Sequence, residues 1–66
     1  MAPKFPDVTV VIYGATSPFT VMGRTITALR EAGVDEAQIT QYVDDAAFGD
    51  YQHLLDVTRL TVTVKE

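Results

Sequence analysis

From Asp7 to Tyr13 the chain is almost entirely β-branched or aromatic, and Gly14 closes the run, a pattern that predicts a strand. Val8, Val10 and Ile12 fall on one face, while Thr9, Val11 and Tyr13 fall on the other, which is therefore only partly polar. One side is expected to meet helices, leaving Val11 and Tyr13 available to a partner.

Ser17-Pro18 reads as an N-cap followed by proline at the first helical position, where its missing N–H costs nothing. The spacing predicts a helix from Pro18 to about Ala32, with Phe19, Met22, Ile26 and Leu29 on its apolar stripe and Gly33 as a left-handed cap. Gly23 is read as a point of close helix–strand packing in preference to a ligand approach.

The segment Val34-Asp35-Glu36-Ala37-Gln38-Ile39 carries the strongest local signal: Asp35 as cap, Gln38 as its capping-box partner, and Val34 packing on Ile39 as a hydrophobic staple. A second helix continues through Tyr42, Val43 and Ala46 and stops at Gly49. Asp50 caps a shorter third helix through Leu55, and Leu60-Thr61-Val62-Thr63-Val64 then alternates with period two as a final strand. The order is β-α-α-α-β. This is an α+β fold in one small domain, residues 7–66 after an extended lead-in of 1–6, with helices packed on a two-stranded sheet. A second copy could extend that sheet, because neither strand carries an inward charge or a central proline.

Composition sharpens this picture. At 66 residues the chain supports one core, since a domain of this size buries only about 60% of the surface exposed by its unfolded chain. No cysteine is present to add a disulfide or a thiolate metal site, so a homodimer is a reasonable expectation. The net charge is −4, and Lys4, Arg24, Arg30, Arg59 and Lys65 are scattered, which argues against nucleic acid as a partner. The opening residues have no apolar leader core, and the apolar run Val10 to Tyr13 is too short to span a bilayer, so a cytoplasmic location without membrane contact is expected.

The polar residues form no recognised catalytic or cofactor pattern. His53 is the single histidine, with Asp50 and Asp56 each three residues away, but no GxSxG turn supplies a nucleophile. Asp44-Asp45 with Glu36 lacks ligand spacing, because adjacent helical positions diverge by about 100°. Gly14-Ala15-Thr16-Ser17-Pro18 stands where a nucleotide loop would, without the Walker lysine or the GxGxxG spacing, and is read as a helix cap. The expectation is no enzyme activity, no catalytic residues, no metal and no cofactor. Partner contacts are expected at Val11, Tyr13 and Tyr51, since exposed aromatics anchor interfaces. Tyr42 is read as core, and Phe48 as a further aromatic of interest.

The blocks Met22-Gly23, Ala28-Leu29-Arg30, Ala32-Gly33-Val34 and Gly49-Asp50-Tyr51-Gln52-His53-Leu54-Leu55 resemble a family of very small orphan proteins of actinobacterial phages and prophages. The likeness spans the three helices. Family members commonly carry an Asp-Gly-Asn turn before the first helix and an aromatic residue entering the last strand, where this chain has Thr16-Ser17-Pro18 and Leu60. The resemblance implies a phage accessory protein in a host cytoplasm and assigns no functional residue. The expected function is a non-enzymatic protein-binding module for a host or phage protein. The alternative is a small regulatory or antitoxin-like nucleic-acid-associated dimer, which would need Arg24, Arg30 and Arg59 to gather on one surface.

Overall fold

A computed structural model describes residues 3–14 and 17–65. The chain is an α+β domain of order β1 (Phe5–Val11), α1 (Pro18–Glu31), α2 (Glu36–Ala46), α3 (Tyr51–Thr61) and β2 (Val62–Lys65). The two strands form one parallel sheet. Val10 pairs with Val64 and Val11 with Lys65, and a register shift lies between Phe5 and Thr9. Phe5 and Pro6, expected in the lead-in, are strand residues. The irregular stretch accommodates Pro6, which has no N–H to give to a regular ladder. Tyr13, expected in the strand, lies beyond it, because the ladder closes where the Ile12 N–H donates to the Lys65 carbonyl at 2.9 Å.

The alternation of β1 holds. Val8 and Val10 are buried with Val62, whereas Thr9 and Val11 are exposed. The helices cover the first face. Their shared core comprises Val21, Leu29, Ile39, Tyr42, Ala46 and Leu54 together with those three valines.

In α1 the buried stripe is Val21, Thr25 and Leu29, with Met22 and Ile26 half-buried. Phe19, expected on that stripe, is 82% exposed. Thr25 can be buried on the stripe because its hydroxyl donates to the Val21 carbonyl at 2.9 Å, which offsets its desolvation. The close packing expected at Gly23 is absent: the residue is exposed, and an added Cβ would meet nothing within 4 Å.

Local chemistry accounts for the helix ends. Ser17 accepts from the Thr20 N–H at 3.3 Å. At the other end of α1, Gly33 at φ 79° donates to the Arg30 carbonyl at 3.0 Å, and Val34 donates to Leu29 at 3.0 Å. This paired arrangement is a Schellman motif, and it turns the chain directly into α2. Asp35 caps α2 by accepting from Ala37, while the Gln38 side chain accepts from the Lys4 ammonium, so Gln38 serves the start of β1 and not the expected capping box. Asp50 caps α3 by accepting from His53 N–H at 2.9 Å.

The largest departure from the expected boundaries is at Leu60 and Thr61, which belong to α3. Thr58 and Thr61 donate to the Leu54 and Val57 carbonyls, each at 2.8 Å, so the hydroxyls are satisfied one turn back and the helix carries on into a run that alternates like a strand. No loop separates α3 from β2. No described helix is long and apolar enough to cross a membrane.

Candidate interaction surface

The expected contact residues occupy two regions. Val11, 51% exposed, lies on the outer sheet face opposite Lys65, and Tyr13, 80% exposed, lies in the turn that follows. Ile12 turns its N–H towards β2, so the flanking carbonyls of Val11 and Tyr13 point away from it. The Arg24 guanidinium donates to both at 3.0 Å. This edge of β1 is thus held by a cation from α1, and the unprotected edge expected from sequence is guarded there.

Tyr51, 41% exposed, opens α3 and lines a small cleft with Phe19, Met22 and Leu54. Phe19 also lines a shallow depression on α1 that includes Arg24, so it stands between the Tyr51 region and the Arg24 region. The outer sheet face itself is mostly polar, because Thr9 sits against Thr63 in the ladder, and the Thr63 hydroxyl donates to the Pro6 carbonyl at 2.9 Å.

A further concavity involves none of the three expected residues. It is a groove of about 500 Å³ between α2 and α3, closed at one end by Lys4 and Phe5. Tyr42 and Val57 lie along it, with Phe48 and His53 at its far end. Phe48 is 79% exposed and Leu60 is 59% exposed, so each leaves apolar surface uncovered. Tyr42 contributes ring carbon and no free donor: Thr58 spends its only proton on Leu54, so the Tyr42 hydroxyl donates to Thr58 at 2.8 Å. The sequence contained a signal for this groove in Leu60, Val57 and His53 at helical spacing, which the strand reading of Leu60 concealed.

His53 is placed by its neighbours. Its Nε2 lies 2.9 Å from the Asp45 carbonyl, and its ring meets Phe48 edge-on with centroids 6.4 Å apart. The flanking aspartates are committed elsewhere: Asp50 to the His53 backbone N–H, and Asp56 to Gln52 and Arg59. The geometry does not bring the imidazole onto a carboxylate as a triad requires. Among the described residues no group of three or more potential ligands could hold a metal ion. Of the turn considered as a nucleotide loop, Ala15 and Thr16 lie outside the described residues, and Ser17 serves as the cap.

The three arginines are each held locally. Arg24 is on the β1 carbonyls, Arg30 pairs with Glu36 at 3.2 Å, and Arg59 lies 3.8 Å from Asp56. No protein-family model, curated protein or solved structure matches this chain.

Proposed function

We propose that this protein is a non-enzymatic protein-binding module whose contact surface is the α2–α3 groove with Phe48 at its mouth. The observation that carries the reading is the uncovered apolar surface of Phe48 and Leu60, both of which line one concave site between α2 and α3. Exposed aromatics beside a desolvated pocket are the usual anchors of protein interfaces. The resemblance of the helices to small phage and prophage proteins makes a bacterial cytoplasm the proposed setting, with a host or phage protein as partner. The nucleic-acid-associated reading draws no support from arginines that are each engaged locally.

The test is photo-crosslinking in bacterial cells with a benzophenone side chain at position 48, and at the exposed position 40 as control. The reading expects a discrete protein adduct from position 48 and none from position 40. Absence of any discrete adduct at position 48, with the protein folded, would overturn it.

A further inference from the structure

We infer that the groove receives an amphipathic helix of the partner, with apolar anchors one turn apart and a lysine or arginine at one end. This rests on the protein-binding reading above and adds the chemistry of the bound segment.

The shape argues for a helix. Gln38, Gln41, Asp45 and Phe48 recur along one wall at intervals of three or four, and His53, Val57 and Leu60 along the other. The groove therefore runs along both helix axes. From Gln38 to Asp45 the α2 wall is about 10 Å long, which matches about seven residues of a docked helix. Such a helix presents anchors at i, i+3 or i+4, and i+7 to an apolar floor, here Tyr42 and Val57. An added strand has little to bond to, because both side walls are helices whose backbone groups are spent internally.

Charge then selects the end of the segment. Asp45 lines the groove from the last turn of α2, at the negative pole of the helix dipole. That turn has no basic residue, and the Asp45 carboxylate has no ion-pair partner among the described residues. His53 meets the Asp45 carbonyl and leaves its carboxylate open. At the opposite end Lys4 is turned to Gln38. The groove is thus apolar along its floor and negative at the Phe48 end, which complements an apolar face finishing in a cation.

Selection of displayed random 14-residue peptides against the whole chain tests this. The expected winners carry apolar residues at i, i+3 or i+4, and i+7 with lysine or arginine at one end. Phe48→Asp, at a site exposed enough to leave the circular dichroism spectrum unchanged, should weaken a winning peptide at least about tenfold. Asp45→Asn should weaken it several-fold and flatten its salt dependence. Enrichment of acidic or proline-rich peptides, or winners indifferent to Phe48→Asp, would overturn the inference. An adduct at position 48 combined with such a result would leave the binding reading standing and discard only the helix. No adduct would discard both.

Discussion

Two residues of α1, Leu29 and Gly23, show how burial and propensity separate at the residue scale. Leu29 is fully buried among the helices and the sheet, so Leu29→Ala should cost about 2–5 kcal/mol through lost transfer energy and a cavity. For so small a domain this approaches the whole stability, and the variant should lose its cooperative thermal transition. Gly23 is the opposite case. It sits mid-helix in open surroundings, so Gly23→Ala should stabilise by about 0.5–1 kcal/mol, read as a higher melting midpoint. Asp35→Ala should lower stability by about 1 kcal/mol, because it leaves the Ala37 N–H without its acceptor. With Gln38 turned to Lys4, no capping-box partner shares that loss. An unchanged midpoint on melting would show that water serves this N–H equally well.

At the scale of elements, caps were legible and polar core residues were not. Ser17, Asp35 and Asp50 mark the three helix starts because a short side-chain acceptor before an amphipathic run does one job. Thr25, Thr58 and Thr61 misled the reading. A threonine that bonds to the preceding turn behaves as a core residue, and nothing in residue type alone reveals that bond. The groove was hidden for the same reason, since its Leu60 wall exists only if α3 runs on to Thr61. At the end of β1 the Val11 and Tyr13 carbonyls take their donor from another element, which strand periodicity does not reveal. Arg24→Ala should free the Val11 and Tyr13 carbonyls and increase strand-to-strand association. Light scattering over a range of concentrations checks this. An association profile identical to the parent protein would show that Arg24 does not protect the edge.

For the molecule as a whole, the β-α-α-α-β order and the helical cover of one sheet face were readable from periodicity. The parallel pairing was not, because two short strands carry no local mark of their relative direction. That pairing joins the first described element to the last: Val11 meets Lys65 only after three helices have intervened. Helices and their hairpin form from near neighbours, but the sheet must close a loop made of nearly the whole described chain. The kinetic consequence is that β2 docks late. Val62→Ala, a change at a buried strand residue, should therefore speed unfolding while leaving the refolding rate almost untouched. Stopped-flow refolding and unfolding in urea would register this, and an equal slowing of refolding would place the sheet in the folding nucleus instead. A sheet that forms last also opens first, so brief excursions should release Val62 to Lys65 as an unpaired segment. Cellular proteases would find this molecule there, and its lifetime would be governed by how often that seam parts.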